Sequence, residues 1–263
     1  MKRLLWLVAV LGCRAPSPSG HSLTQALAQG HWIDLSYSFD STTIYWPTAT
    51  PFHLQVVSAQ RTPAGYYYAA NNFAAAEHGG THLDAPVHFA EGRHTTDQIP
   101  IEQLVGPAVV VDVTSKVTQG GADYLITPAD LETAGLDSVA GMIVLFRTGW
   151  GSRWPDRQQY LGTTKTGAAA VPELHFPGIH PTAARWLRDR RVKAVGIDTP
   201  SIDYGQSSTF ETHQILLGAD IPAFENVAHI DQLPKTGAFV VALPMKIAGG
   251  SGGPLRMVAW VAN

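Results

Sequence analysis

Three histidines and one aspartate lie within a dozen residues of one another, at His78, His82, Asp84 and His88. All four positions are even, and side chains alternate between the two faces of a strand, so a mostly extended segment presents them on one face. Imidazole and carboxylate groups bind borderline divalent ions, and three such ligands leave coordination positions for water or substrate. The spacing therefore predicts an open metal site rather than histidines satisfied within a loop.

The residues between these side chains favour a strand or tight loop over a helix. Gly79 and Gly80 are poor helix formers, and no helical apolar period surrounds them. Pro86 excludes the segment from the middle of a regular sheet. Glu77 faces away from the histidines in a regular strand and is not assigned to the site. The residues predicted to point into the core are Leu83, Ala85, Val87 and Phe89.

A second pair of candidate ligands, His213 and Glu225, lies much later in the chain. Residues 210–218 predict a short helix that stops at Gly218, and a strand follows around residues 223–227. Such a helix–strand unit can bring its two ends to one place. A capping contact and a buried salt bridge explain the same two residues, so the sequence alone leaves both interpretations open.

Length and composition predict one large domain over residues 21–263. The chain has 263 residues, of which 45% are hydrophobic, which is enough to bury a full core. Its net charge of −3 and the absence of a Lys/Arg run argue against a nucleic-acid partner. A single cysteine, Cys13, excludes an internal disulfide framework and a cysteine-based zinc site.

The N-terminus predicts export. Residues 1–12 have a basic start followed by a short apolar run, as in a secretory signal, and residues 10–13 resemble a bacterial lipobox. Cys13 is then the site of a lipid anchor, and the Pro- and Ser-rich residues up to 20 form a tether. This leader implies a periplasmic or membrane-anchored protein. If the leader is not used, the protein is cytoplasmic.

The remaining pattern interleaves strands and helices without a strict βαβ rhythm, which predicts an α/β or α+β fold of mixed sheets packed with helices. Residues 151–170 are polar and glycine-rich and predict a lid-like excursion. Thr127 is a predicted helix N-cap. The predicted strands cover residues 52–58, 66–73, 108–113, 142–146, 195–198, 238–243 and 255–262, and a second helix covers 181–191.

The run from His78 to Phe89 resembles the signature His-x-Gly-Thr-His-x-Asp-x-Pro-x-His of the metal-dependent cyclase family. That family includes bacterial kynurenine formamidase and isatin hydrolase. The resemblance extends over essentially everything after residue 30, and it implies the swivelling β/β/α fold of the family. Further segments in family order are 34–36, 45–47, 147–150, 196–198 with Ser201 and Asp203, and His213 twelve residues before Glu225.

The resemblance implies a set of ligands for two divalent ions, Zn or Mn. His78, His82 and Asp84 would bind the first ion. Asp84 and Glu225 would bridge to the second, which His213 would also hold. It further implies a homo-oligomer, either a dimer or a tetramer.

The resemblance also implies a reaction, the hydrolysis of an amide, lactam or formamide bond in a small aromatic molecule. His88 would be the general acid/base and Trp46 would line the substrate pocket. An alternative for His88 is a fifth ligand or a residue that supports a ligand. Two alternative functions remain from the residues. One is a non-haem iron oxygenase that uses His82, Asp84 and His213, and the other is a metal-dependent periplasmic binding protein.

Overall fold

The structure is a computed structural model that describes residues 23–135 and 138–263. The predicted signal, tether and lipidation site at Cys13 lie outside the described residues. Within the described ranges, none of the helices has the length and apolar character needed to span a bilayer. The strands are β1 Gly30–Asp34, β2 His53–Arg61, β3 Tyr67–Ala74, β4 His82–Asp84, β5 Val105–Asp112, β6 Leu125–Ile126, β7 Ile143–Arg147, β8 Gly178–Ile179, β9 Ala194–Ile197, β10 Ala223–Glu225, β11 Thr236–Pro244 and β12 Gly252–Ala262.

Short helices cover and connect these strands. They are α1 Leu23–Leu27, α2 Ile101–Leu104, α3 Thr114–Gly120, α4 Pro128–Thr133, α5 Arg157–Leu161, α6 Pro181–Asp189 and α7 Glu211–Leu217. Thr127 caps α4 as predicted, in a reciprocal capping box with Asp130. The predicted helix over 181–191 is α6, which begins with Pro181 at its first position.

A mixed sheet in the order β12-β11-β5-β7-β9-β10-β4 returns to β12 and closes into a barrel-like ring of seven strands. Closure occurs at the start of β12, where Gly252 pairs with Asp84 and Pro254 with His82. β1 adds to the far end of β12. Strand β4 therefore lies between β10 and β12. The predicted class, mixed sheets packed with helices, is confirmed.

Two apolar cores lie on opposite faces of this sheet. Along β5, Ala108 and Val110 belong to one core, whereas Val109 and Val111 belong to the other. Central strands covered on both faces are expected to be continuous apolar runs, and β7 and β9 follow the same rule. The sheet is thus a rigid support for the polar residues at its strand ends.

The histidine-rich segment is extended over only part of its length. β4 spans His82–Asp84, and the next residues form a 3₁₀ turn, Pro86–His88. The strand stops because Pro86 has no N–H group to continue the ladder. Leu83 and Ala85 are buried in the core as predicted. The prediction for Phe89 is wrong, because its ring packs against His213, with the ring centroids 4.6 Å apart.

The prediction of a lid over residues 151–170 is also wrong. Trp150 and Tyr160 are buried, and the Trp150 indole N–H donates to the Tyr160 carbonyl at 2.8 Å. The Tyr160 hydroxyl contacts Asn226 Oδ1 at 2.9 Å. Tyr160 and the adjacent Trp150 are therefore part of the core that supports the site. The glycines and polar residues around them give no sign of this packing in the sequence.

Candidate metal centre

Sheet pairing brings the two separate groups of candidate ligands together. His82 and Asp84 lie on β4, and Glu225 ends the neighbouring strand β10, where its Cα pairs with that of His82. His213 lies on helix α7, the element that directly precedes strand β10. The expectation that a helix–strand unit would carry His213 and Glu225 to one place agrees with this geometry. His78 precedes β4 and contacts the same cluster.

Asp84 lies at the centre of the cluster. Its Oδ1 is 2.7 Å from His78 Nδ1 and 3.2 Å from His82 Nε2. Its Oδ2 is 3.1 Å from His213 Nε2. One carboxylate thus faces three imidazole rings, with Oδ1 directed to His78 and His82 and Oδ2 directed to His213. This arrangement suits a ligand that bridges two metal ions.

Glu225 spans two of the same histidines. Its Oε2 is 3.4 Å from His82 Nε2, and its Oε1 is 3.2 Å from His213 Nε2. The Ile202 N–H donates to Oε1 at 2.8 Å and orients the carboxylate. Both carboxylates therefore connect the same pair of histidines.

The Nδ1 atoms of His82 and His213 each contact a fixed hydrogen-bond acceptor. His82 Nδ1 is 2.9 Å from the Gly80 carbonyl oxygen, and His213 Nδ1 is 2.6 Å from Asp203 Oδ2. Metal-binding histidines characteristically donate their second N–H in this way. In the neutral ring Nε2 then carries no proton, and His82 Nε2 is buried without a hydrogen-bond partner. An orphaned nitrogen facing two carboxylates fits a divalent cation, which is the partner these atoms lack.

His78 is held by residues that the sequence did not single out. Its Nε2 is 2.9 Å from Ser251 Oγ, and the Ser251 hydroxyl and N–H donate to Glu77 Oε2 at 2.7 and 2.9 Å. Glu77, which was not assigned to the site, is thus part of the support of His78. Ser251 lies 173 positions from His78 along the chain, so no local spacing signals this contact.

The charges of the cluster favour a cation. Burial lowers the pKa of His82 and of His213, but the nearby carboxylates outweigh it and raise both pKa values: Asp84 and Glu225 act on His82, and Asp203, Asp84 and Glu225 act on His213. Burial and the nearby Asp84 raise the pKa of Glu225. Negative charge that attracts protons to these rings attracts a divalent ion in the same way, so protons and metal compete for the site.

His88 belongs to the same centre. The ligating atoms of His78, Asp84 and His88 lie within 4.8 Å of one another, as do those of His82, Asp84 and Glu225. This grouping differs from the one implied by the family resemblance, in which His78 and His82 share an ion. The His88 ring stacks on His78 at 3.8 Å between centroids. Burial lowers the His88 pKa to about 4, so the ring is neutral at pH 7 and able to accept a proton.

The cluster forms the polar base of an apolar cavity of about 250 Å³. Trp46 lines the cavity and makes edge contacts with Phe176 and Phe210, at centroid distances of 6.4 and 6.1 Å. Phe89 adds another aromatic wall. Among the described residues, no lysine or arginine lines the cavity.

The model of the Cyclase family matches residues 33–204 of the chain, about two thirds of its length, including the whole segment that carries His78 to His88. The chain belongs to the Cyclase family. This membership agrees with the resemblance in the histidine-rich segment, and it accounts for the mixed barrel-like sheet.

Cyclase-family relatives cover most of the chain. It is 32% identical over 209 residues to an isatin hydrolase of Roseibium aggregatum, covering 75% of this chain and 76% of the relative. It is 30% identical over 230 residues to a kynurenine formamidase of Salinibacter ruber, covering 86% and 95%. The structure of isatin hydrolase A from Ralstonia solanacearum superposes with a TM-score of 0.79 at 31% identity, covering 93% of this chain and 99% of that one.

These relatives are enzymes that hydrolyse their substrates. Together with the ligand cluster, the cyclase-family membership makes this chain a metal-dependent hydrolase that requires a divalent ion. The oxygenase and binding-protein alternatives have no counterpart among the relatives described above.

Proposed function

We propose that the chain hydrolyses an amide, lactam or formamide bond in a small aromatic molecule, in the manner of an isatin hydrolase or an arylformamidase. The observation that carries this proposal is the convergence of His82 Nε2 and His213 Nε2 on Asp84 and Glu225 at the base of an aromatic cavity. The hydrolase relatives support the reaction class.

Two divalent ions, Zn or Mn, fit the ligand set. In the grouping that the family resemblance implies, His78, His82 and Asp84 would hold one ion and His213 the other, with Asp84 and Glu225 shared between the two. The structure also places His82 with Asp84 and Glu225, and His88 with His78 and Asp84, as ligand groups for one ion each. Such ions act as Lewis acids that lower the pKa of water towards neutrality and polarise a carbonyl group. The raised pKa values of His82 and His213 mean that metal affinity falls as pH falls through the titration of these rings.

His88 is the proposed general acid/base. Its neutral ring takes a proton from the attacking water and returns it to the nitrogen that leaves when the C–N bond breaks. The stacked His78 ring holds His88 beside the ligand cluster. A competing role as an additional ligand is consistent with its position near His78 and Asp84, and the two roles differ in their effect on metal content.

The cavity favours a neutral aromatic substrate. Trp46, Phe89 and Phe210 supply ring faces and edges, which stack on planar molecules. A zwitterionic amino acid such as N-formylkynurenine needs a partner for its carboxylate, and the described lining offers no cationic side chain of lysine or arginine. A cyclic lactam such as isatin, which carries no such charge, matches this aromatic lining better.

The test is metal analysis of the purified protein coupled to hydrolysis assays with isatin, N-formylkynurenine and simple cyclic imides. We expect Zn or Mn at about two ions per chain, and faster hydrolysis of isatin than of N-formylkynurenine. Loss of turnover after chelation, with recovery on adding the metal back, would support the role of the ion. Protein that is loaded with metal but inert towards all three substrates would contradict the proposed reaction.

We further propose that the protein is exported, with Cys13 as the lipid attachment site. Metabolic labelling with a fatty acid tests this directly. Incorporation of label that is lost in a Cys13→Ser variant supports an anchored periplasmic protein. A full-length, unlabelled protein in the cytoplasmic fraction contradicts it.

A further inference from the structure

The turn that leads into β12, residues 249–252, reaches the metal centre through Ser251. The Ser251 carbonyl accepts a hydrogen bond from the Ala85 N–H at 2.8 Å. The buried Thr96 hydroxyl lies 3.0 Å from the carbonyl oxygens of both flanking glycines. These contacts hold Ser251 in a fixed position beside the histidine-rich segment. The name closing turn is used below for residues 249–252.

Glycines on both sides of Ser251 let the closing turn approach the centre closely. A Cβ atom at Gly252 would lie 2.5 Å from His78 Cε1, and a Cβ atom at Gly250 would lie 2.9 Å from Glu77 Oε1. Packed atoms do not come so near one another, so these positions suit residues without a side chain. The closing turn is therefore shaped around the His78 ring and the Glu77 carboxylate.

The hydrogen bonds of Ser251 determine which nitrogen of His78 carries a proton. The Ser251 N–H and hydroxyl donate to Glu77 Oε2 at 2.9 and 2.7 Å. A serine hydroxyl has one proton, which this contact uses, so Ser251 Oγ can only accept from His78 Nε2, 2.9 Å away. Nε2 of His78 therefore carries a proton, and in the neutral ring Nδ1 holds the lone pair.

The lone pair on Nδ1 of His78 faces a carboxylate oxygen. Nδ1 is 2.7 Å from Asp84 Oδ1, and two acceptors this close need a cation between them. His78, Asp84 and His88 form one of the groups whose ligand atoms lie within 4.8 Å of one another. Nδ1 is thus the nitrogen that His78 presents to a divalent ion.

The other two histidines are turned the opposite way. His82 and His213 direct Nδ1 to the Gly80 carbonyl oxygen and to Asp203, and they direct Nε2 to Asp84. His78 directs Nε2 to the closing turn and Nδ1 to Asp84. The protein therefore orients its histidines by two different sets of contacts.

We propose that Glu77 and Ser251 are positioning residues that make His78 a ligand through Nδ1, whereas His82 and His213 bind through Nε2. Glu77 takes the Ser251 hydroxyl proton and so keeps the serine oxygen as an acceptor for the His78 N–H. This acceptor fixes both the tautomer and the rotation of the ring. The proposal rests on the divalent ion of the metal centre, and it holds whichever bond the protein hydrolyses.

The direct test is a long-range ¹H–¹⁵N correlation spectrum of the full chain, labelled with ¹⁵N-histidine and loaded with zinc. The signals of His78 are assigned from their absence in His78→Gln. We expect the ring proton of His78 on Nε2 and those of His82 and His213 on Nδ1. A His78 ring with its proton on Nδ1, or a folded protein that takes up no zinc, would overturn the proposal.

The roles of the two positioning residues are tested with Ser251→Ala and Glu77→Gln. Ser251→Ala removes the acceptor for His78 Nε2, so we expect the affinity for one zinc ion to fall by about 10–100-fold in chelator competition. Glu77→Gln should cause a smaller loss, because its amide oxygen still accepts from Ser251 while its NH₂ group competes with His78 for the serine oxygen. It also serves as the second variant if Ser251→Ala does not fold.

Asp97→Asn is the matched control. Asp97 Oδ1 accepts from the Gly249 N–H at 3.0 Å, so Asp97 binds the same closing turn as Glu77, but it has no contact with His78. Its zinc affinity and the tautomer of His78 should be unchanged, and circular dichroism checks the fold of every sample. Equal losses of zinc affinity in Asp97→Asn and Ser251→Ala would contradict the proposal. Wild-type affinity and an unchanged tautomer in folded Ser251→Ala and Glu77→Gln would contradict it as well.

Discussion

Two buried carboxylate sites lie at the ends of neighbouring strands and differ in what satisfies them. Asp198, which follows β9, accepts hydrogen bonds from the Thr148 N–H and hydroxyl and from the Gly149 N–H, at 2.9, 2.5 and 2.9 Å. Asp84 and Glu225, on β4 and β10, mainly face histidine nitrogens whose own protons are used elsewhere.

The difference separates a structural carboxylate from a functional pair. Fixed N–H and O–H donors already satisfy Asp198, so a cation has nothing to add there. At Asp84 and Glu225, carboxylate oxygens and histidine nitrogens face one another with too few hydrogen-bond donors to pair them. Leaving such polar atoms unpaired in the low-dielectric interior is costly. We therefore expect equivalent substitutions at the two sites to differ in their effect on metal binding, with loss of metal only at Asp84.

Asp84→Asn should have the largest effect. Asn is nearly isosteric but carries no charge, and it cannot bridge ions through two equivalent oxygens. We expect loss of bound metal and a fall in kcat/KM of at least about 10³-fold, beyond the roughly 10–100-fold that follows loss of a supporting residue. The melting temperature of the metal-free protein should fall as well, because the surrounding histidines hold the pKa of Asp84 well below its usual range and the amide removes the charge that pairs with them. If Asp84→Asn retains the wild-type metal content, Asp84 does not differ from Asp198 in metal binding.

His88→Gln distinguishes a role of His88 as a metal ligand from its proposed role as the general acid/base. The amide cannot exchange protons as imidazole does, so we expect kcat to fall by about 10²–10⁴-fold. Metal content, measured by mass spectrometry of the loaded protein, should be unchanged. If instead one equivalent of metal is lost, His88 is a ligand and the proposed acid/base role is wrong.

Asp198→Asn should lower stability without the loss of metal expected for Asp84→Asn. The new amide NH₂ would face N–H donors at Thr148 and Gly149, which leaves buried donors unpaired. We expect the free energy of unfolding to fall by about 1–3 kcal/mol in denaturant titrations. The folded fraction should still bind its full complement of metal. Metal loss as complete as in Asp84→Asn would show that the two carboxylates are not functionally distinct.

Asn226→Gly tests the support of His82, with an effect on the metal smaller than that of Asp84→Asn. Asn226 Nδ2 donates to the Gly80 carbonyl at 2.7 Å, the same oxygen that fixes His82 Nδ1. Loss of this amide should weaken metal affinity by about 10–100-fold in chelator competition. Asn226 has a positive φ of 52°, so glycine relieves backbone strain there.

Arg191→Gly is the matched control, because Arg191 has a φ of 55° and an exposed side chain away from the metal centre. It should gain a similar relief of strain without any change in metal affinity. Equal affinities for the two variants would show that Asn226 has no part in positioning His82.

Local patterns predicted the parts of the molecule that depend on local rules. The apolar runs of β5 and β7, the capped start of α4 and the spacing of His78 to His88 all follow from alternation, propensity and ligand chemistry. Alternation placed Asp84 beside His82 correctly because β4 is a true strand. His78 and His88 lie outside that strand, in a loop and a 3₁₀ turn, yet they reach the same centre.

The rest depends on contacts between distant parts of the chain. Closure of the barrel pairs β12 with β4, and the Ser251 contact to His78 follows from that pairing. Asp203 and the Gly80 carbonyl, which orient the His213 and His82 rings, lie nearby in the chain, but the local backbone fold makes these contacts and no spacing in the sequence marks them. Strand alternation continued past Pro86 predicts Phe89 in the core, but the chain leaves the strand at Asp84 and turns at Pro86.

Anomalous X-ray diffraction from crystals of the metal-loaded protein tests the central claim most directly. The account predicts anomalous peaks bounded by Asp84 and Glu225, with nitrogen ligands from His82 and His213 at about 2.0–2.2 Å. Fully loaded crystals whose only metal lies elsewhere, with Asp84 and Glu225 paired to protonated histidines instead, would contradict it.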